Sequence, residues 1–239
     1  MILNPKERLI FALDVSSLKE VKRWVSLLKD HIEIFKVGKE LFTACGPKVV
    51  DIIHNAGGEV FLDLKFHDIP NTVAKAGVVA AKLGVKMFNV HTLGGVNMME
   101  AVRKSVDKAC GKQRKPIILG VTILTSMDEK AIKQVGIQGP IRKRVLHLAG
   151  LAKKAGLDGV VASPLEVEKI KKKLGKDFIT LTPGIRLSDS KPDDQSRTMT
   201  TGEAIRAGAN YIVVGRPIRE AKDPVEAARK ILEEMEKCP

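Results

Sequence analysis

An α/β barrel of eight strand–helix units is the fold class that this sequence predicts. Three observations predict it. Short apolar runs alternate with amphipathic helical stretches; a glycine repeatedly separates a helix end from the next apolar run; and no linker or shift in composition divides the 239 residues. Strands that are apolar at consecutive positions suit a parallel sheet buried on both faces. Eight alternating βα units in a chain of this length match a TIM (β/α)8 barrel. The expectation is a single barrel domain over 1–239, with a doubly wound open sheet as the alternative.

The candidate strands, in order, are LIFALDV (9–15), EIFKV (33–37), EVFLDLK (59–65), KMFNVH (86–91), PIILGVTIL (116–124), GVVAS (159–163), FITLTP (178–183) and YIVVG (211–215). Between the first two, SLKEVKRWVSLLKD (17–30) places Leu18, Val21, Trp24, Val25 and Leu28 on one face, as a helix packed on a sheet requires. NAGGEVFLDLK, KLGVKMFNVH, KAGLDGVVAS and RAGANYIVVG share one grammar: a helix end, a glycine, then a strand. Glycine stops a helix there because it lacks the Cβ that makes a left-handed conformation costly. After the eighth strand, DPVEAARKILEEMEK (223–237) opens with Asp223 as N-cap and Pro224 in the first turn.

Composition narrows the function. Hydrophobic residues make up 44% of the chain, which excludes wholesale disorder. No apolar run approaches the roughly 18 residues of a membrane span. The opening MILNPKERLIFALDV lacks the small-residue cleavage site of a signal peptide and reads as the first strand. Cys45, Cys110 and Cys238 are odd in number and have no metal-ligand spacing, which predicts free thiols, a cytoplasmic setting and no metal site. The formal charge of +13 suits an anionic substrate or a nucleic acid. Aromatic residues are only 4%, too few for base-stacking platforms, so no nucleic-acid partner is expected. No cofactor-binding motif is visible.

A barrel places its chemistry at the carboxyl ends of its strands. At those ends stand Asp14, Lys36, the pair Asp63 and Lys65, Thr125 with Ser126, Pro183 with Arg186, and Gly215 with Arg216. A lone polar residue there is equally a solvated side chain or a helix cap; recurrence at strand after strand is the signal. In DLKFHDIPNT (63–72), Asp63 and Lys65 lie two apart and project to the same face of a strand. Buried charges are costly unless paired, so Lys36, Asp63, Lys65 and Asp68 form a candidate alternating network. A salt-bridge network that only closes the barrel end has the same appearance. Pro70 suits the first turn of a helix, with Thr72 near its amino end. His67 is expected to face solvent or support structure, and His91 to make a structural hydrogen bond.

The spacing Asp-x-Lys-x-x-Asp-Ile-Pro-x-Thr resembles the signature of the orotidine 5′-phosphate decarboxylase family. FALD (11–14), KVG (36–38), VHTLGG (90–95), LTS (124–126), TPGIR (182–186), the loop holding Gln195, and VVGRPI (213–218) resemble the family's other segments in order. The resemblance implies a TIM barrel. It further implies decarboxylation of orotidine 5′-monophosphate to uridine 5′-monophosphate and CO2 in de novo pyrimidine biosynthesis, without metal or cofactor, by a homodimer. By the same resemblance Lys65 donates the proton to C6 and Asp63 sits beside the departing carboxylate. Lys36 and Asp68 complete the charged set, with Asp68 and Thr72 contributed across the dimer. Asp14 and Lys36 resemble ribose contacts, and Thr125 and Ser126 the segment that reads the pyrimidine edge. Pro183 joins the substrate-binding set; Arg186, Gln195, Gly215 and Arg216 resemble the phosphate side, over which the loop 183–197 is expected to close. The alternative is a Mg2+-dependent sugar-phosphate decarboxylase or aldolase of the same superfamily. In those proteins the second strand ends in an acid that helps bind the metal, where this chain has Lys36, and the Ile-Pro-x-Thr continuation is missing.

Overall fold

The computed structural model describes residues 4–186 and 199–238. Ten strands are present among them: β1 (Leu9–Leu13), β2 (Ile34–Gly38), β3 (Glu59–Phe66), β4 (Met87–His91), β5 (Ile117–Val121), β6 (Gly159–Val161), β7 (Ile179–Thr182), β8 (Ile185–Arg186), β9 (Met199–Thr200) and β10 (Tyr211–Val214). Eight of them close a barrel in the order β1-β10-β7-β6-β5-β4-β3-β2, and every neighbouring pair is parallel. The open-sheet alternative is thereby ruled out. The short β8 and β9 pair with each other outside the barrel.

The predicted helix stops behave as glycine chemistry requires. Gly57, Gly84, Gly156 and Gly208 adopt φ of 84°, 72°, 77° and 99°, a region that side chains with a Cβ rarely enter. The first long helix runs Leu18–Leu28, capped by Ser17, whose hydroxyl accepts from the Glu20 N–H. Val21, Trp24, Val25 and Leu28 are buried as the periodicity predicts, and Trp24 packs on Phe11 at 5.4 Å between ring centroids. The last helix spans Pro224–Glu236, its N-cap Asp223 accepting from the N–H groups of Val225 and Glu226 at 3.0 Å each.

The strands divide their side chains between two cores. Leu9, Phe11, Phe35, Val37, Phe88, Val90 and their like face the helices. Ile10, Ala12, Ile34, Phe61, Met87, Leu119, Leu181, Tyr211 and Val213 fill the barrel lumen. Because side chains alternate along a strand, the residue two positions further continues the lumen face toward the carboxyl rim. From Ala12, Ile34, Phe61 and Met87 that step leads to Asp14, Lys36, Asp63 and Asn89. The polar rim is thus the next layer of the lumen, above an apolar floor.

One strand ends earlier than its apolar run suggests. The fifth was expected over 116–124 but stops at Val121. The Thr122 N–H and hydroxyl both converge on the Val161 carbonyl, at 3.2 and 3.0 Å, where the ladder ends. No helix among the described residues is long and apolar enough to cross a membrane.

Close packing of β6 on β7 is testable. A Cβ added at Gly159 would stand 2.2 Å from the Ile179 carbonyl oxygen, whereas one at Gly150, within the helix Ile141–Lys154, meets nothing within 4 Å. Gly159→Ala is expected to destabilise the fold by about 1–3 kcal/mol. Gly150→Ala is expected to stabilise it by about 0.5–1 kcal/mol. Urea denaturation of the two variants beside the parent checks both signs.

Candidate active site

Asp63 is the centre of the rim. Its Oδ1 accepts from Lys65 Nζ at 2.6 Å and from Asn89 Nδ2 at 2.7 Å. Its Oδ2 lies 3.7 Å from Lys36 Nζ. Lys36 Nζ also donates to Asp14 Oδ1 at 3.0 Å. The side chains of Lys36 and Asp63 are each only 12% exposed, and that of Lys65 is 26% exposed. At that burial a charge-assisted contact is strong, and leaving one partner alone costs several kcal/mol. Two ammonium groups and two carboxylates therefore hold one another in alternating order across β1, β2 and β3.

Lys65 reaches Asp63 by an irregular route. It is the one non-glycine residue with positive φ among the described residues, at 52°. The β3–β4 register shifts between Leu62 and Phe66 at the same point. Simple strand alternation therefore does not carry through residue 65, although Asp63 and Lys65 share the lumen side as the sequence predicts. A left-handed conformation costs a residue with a Cβ roughly 1–2 kcal/mol. Asn89 offsets part of that cost: its side-chain Oδ1 accepts from the Lys65 N–H at 2.8 Å while its Nδ2 holds Asp63. Asn89 is 1% exposed. It is not among the residues expected from the sequence, where a lone amide inside the apolar strand MFNVH was the available signal.

The other predicted residues divide. Asp68 is exposed, and its Oδ1 accepts from the neighbouring Ile69 N–H at 2.6 Å. Among the described residues it makes no salt bridge to Lys36 or Lys65, so the chain by itself assembles three of the four predicted charges and adds Asp14. Thr72 is exposed on the first turn of the helix Pro70–Lys82. Beyond the end of β5, Thr125 is half-buried and Ser126 exposed, and Pro183 is half-buried after β7. Arg186 lies in β8, its backbone paired with Thr200. Gln195, and most of the loop 183–197 expected to close over the phosphate, fall at 187–198, outside the described residues. Gly215 precedes the short helix Arg216–Arg219, and a Cβ on it would lie 3.4 Å from Asp14 Oδ2. Arg219, also unselected from sequence, donates from Nη1 to the Asp14 carbonyl at 2.7 Å.

Two histidines border the network. The rings of His67, which is exposed, and His91, which is half-buried, lie 5.4 Å apart. Burial pushes His91 down to about 4, with His67, Lys39 and Lys65 acting in the same direction and Asp63 against it. His91 is therefore a neutral imidazole at neutral pH. The structural hydrogen bond expected of it is not made by Nδ1, which is buried with no partner among the described residues.

No group of three or more His, Cys, Asp or Glu side chains placed to hold a metal occurs among the described residues. A separate cleft at the amino end of β5 is lined by Arg103, Asp107, Lys115 and Asp158. These charges are satisfied by each other at 2.8–3.1 Å, so the cleft is a clasp between helix and strand.

A model described as the Orotidine 5'-phosphate decarboxylase / HUMPS family matches residues 7–231. The chain is 54% identical over 237 residues to an orotidine 5'-phosphate decarboxylase of Syntrophotalea carbinolica, covering 98% of this chain and 97% of that protein. It is 53% identical over 230 residues to the one from Geobacter sulfurreducens, covering 96% of each. Among solved structures, orotidine 5'-phosphate decarboxylase from Lactobacillus acidophilus is similar at a TM-score of 0.85 and 38% identity, over 96% of this chain and 99% of that one. The one from Pyrococcus horikoshii is similar at 0.76 and 26% identity, over 95% and 99%.

Two outcomes test this geometry. Asn89→Ala strips a donor from Asp63 and an acceptor from the Lys65 N–H, and is expected to cost about 1–3 kcal/mol in denaturant unfolding. For His91, the folded ring resists a proton that the unfolded ring accepts. Its contribution to stability is full above about pH 6.5 and is lost as the pH falls toward 4. Between pH 7 and 4.5, His91→Asn should therefore lose less stability than the parent. With allowance for solvent screening of a half-buried ring, the difference is about 1–2 kcal/mol. An equal loss in both proteins would refute it.

Proposed function

The chain belongs to the Orotidine 5'-phosphate decarboxylase / HUMPS family, and from that membership we infer that it decarboxylates orotidine 5′-monophosphate to uridine 5′-monophosphate and CO2, a step of pyrimidine biosynthesis. The family description spans both the decarboxylase and its sugar-phosphate alternative. What favours the former is the identity of 51–54% to curated relatives that bear the decarboxylase name over nearly their whole length. Lys36 standing between Asp14 and Asp63, where the alternative needs an acid, points the same way.

The observation that carries the mechanism is Lys65 Nζ fixed on Asp63 at 2.6 Å at the carboxyl rim of the barrel. Loss of CO2 from C6 breaks the carbon–carbon bond and leaves its electron pair on a vinyl carbon with little delocalisation. An ammonium already in place lowers the energy of that pair without reorganising. The Lys65 ammonium then passes one proton to C6, and the neutral amine regains a proton from solvent. Lysine suits the task because its charge is compact and its proton transferable. The Asp63 carboxylate, next to that ammonium, lies beside the substrate's own carboxylate. Two like charges at ~4 Å repel by roughly 4 kcal/mol at an effective dielectric near 20, and departure of CO2 relieves this.

The remaining assignments follow the same reading. Asp14 and Lys36 hold ribose hydroxyls, Thr125 and Ser126 the pyrimidine edge, Pro183 a further substrate contact, and Arg186, Gln195, Gly215 and Arg216 the phosphate. Asp68 and Thr72 serve the site of a second copy in a homodimer. Support comes from their exposure and from exposed apolar residues that follow the neighbouring strands β3 and β4: Ile69 is 67% exposed and Leu93 50%. Such side chains on one rim are what a protein partner covers. A cytoplasmic location is in keeping with three free cysteines.

An ultraviolet assay with orotidine 5′-monophosphate tests the reading directly. The parent should turn it over, and Lys65→Ala should fall by several orders of magnitude with its circular dichroism unchanged. Mixing inactive Lys65→Ala with inactive Asp68→Ala should restore part of the activity, because one of the two sites in a heterodimer then holds both groups. No recovery despite demonstrated subunit exchange would remove Asp68 from the shared site.

A further inference from the structure

We propose that Arg219 is a positioning residue that fixes Asp14, the carboxylate assigned to the ribose, against the turn that carries Gly215 and Arg216. The proposal rests on the reading of the site given above and adds a residue to it.

Asp14 lies past the end of its strand. The β1–β10 ladder closes with Phe11 opposite Val214, three residues short of it, whereas the β1–β2 ladder runs on to Leu13 opposite Val37. On the β2 side Asp14 is held by Lys36 Nζ, 3.0 Å from Oδ1. On the β10 side no ladder bond reaches it, and Arg219 takes that place. Its Nη1 donates to the Asp14 carbonyl at 2.7 Å and stands 4.0 Å from Oδ2 of the same residue. One guanidinium thus restrains both the backbone and the carboxylate of Asp14.

The other end of this contact is rigid too. The N–H groups of Ile218 and Arg219 both donate to the Gly215 carbonyl at 3.0 Å, and Ile218 is fully buried. Gly215 itself packs so near Asp14 that a side chain there would touch Oδ2. Arg219 therefore ties the phosphate-side turn to the ribose-side carboxylate, and Lys36 ties that carboxylate to Asp63. Nη2 leans toward Glu220 at 3.4 Å, a contact between neighbours in sequence that leaves Nη1 directed at β1.

A double-mutant cycle in the full-length protein tests this. With Asp14 in place, Arg219→Ala is expected to lower kcat/KM for orotidine 5′-monophosphate by about ten- to a hundredfold, mostly through KM. In an Asp14→Ala background the same change should alter kcat/KM by less than about threefold, because the side chain being positioned is gone. The drop in thermal midpoint caused by Arg219→Ala should be the same in both backgrounds, since the backbone carbonyl remains; this separates positioning from support of the fold. Arg219→Lys should recover part of the loss. Equal losses of kcat/KM in both backgrounds, or no loss in the first, would overturn the proposal. Should Arg219→Ala not fold, Arg219→Gln, which keeps a neutral donor, goes through the same cycle with the same deciding outcomes. Absence of turnover in the parent defeats the reading of the site itself; turnover with additive losses defeats only the role of Arg219.

Discussion

The carboxylate of Asp63 gathers Lys65, Lys36 and Asn89 around itself, and the rest of the rim is arranged by that gathering. A charge this enclosed survives only with its donors in place. Lys65 is bonded directly to it, and Lys36 is shared between it and Asp14. Their positions are set before any ligand arrives, and that is the condition under which a charge lowers a barrier without first having to move.

Keeping the ammonium there has a structural cost, and the barrel absorbs it. Lys65 sits at positive φ in a strand that loses register at the same residue. Local strain of this kind persists only where the surroundings over-determine it. Asn89 does so from the neighbouring strand, with one end of its amide on the strained backbone and the other on the carboxylate. The strain, the amide and the ion pair are therefore one device. Beneath it the lumen is apolar, from Ile10 and Ala12 across to Tyr211 and Val213. That floor keeps water from the underside of the network and makes each contact above it count for more.

Around the rim, connections succeed one another from Lys65 to Asp63, Lys36 and Asp14, and from Asp14 through Arg219 to the turn after β10. The barrel order makes this a path between adjacent strands, β3, β2, β1 and β10. A ligand that touches the turn after β10 and one that touches Lys65 meet the same chain of contacts. Asp68, by contrast, stands outside that chain, beside exposed Ile69.

Much of this was legible in the sequence, for a physical reason. Apolar runs, glycine stops and capping residues act within a few positions of themselves, so Gly84 and Asp223 announce their structure locally. Asp63 and Lys65 are close enough in sequence for their shared side to be predicted. The early end of β5 was not legible, because it depends on the Val161 carbonyl from another strand. Asn89 became a partner of Asp63 only through the pairing of β3 with β4, and Arg219 became a partner of Asp14 only when closure of the barrel brought its last turn against its first strand. The sequence alone determined the barrel, its polar rim and the charges available there. Tertiary structure alone decided which of those charges meet, because strand register and ring closure join residues that the chain holds far apart.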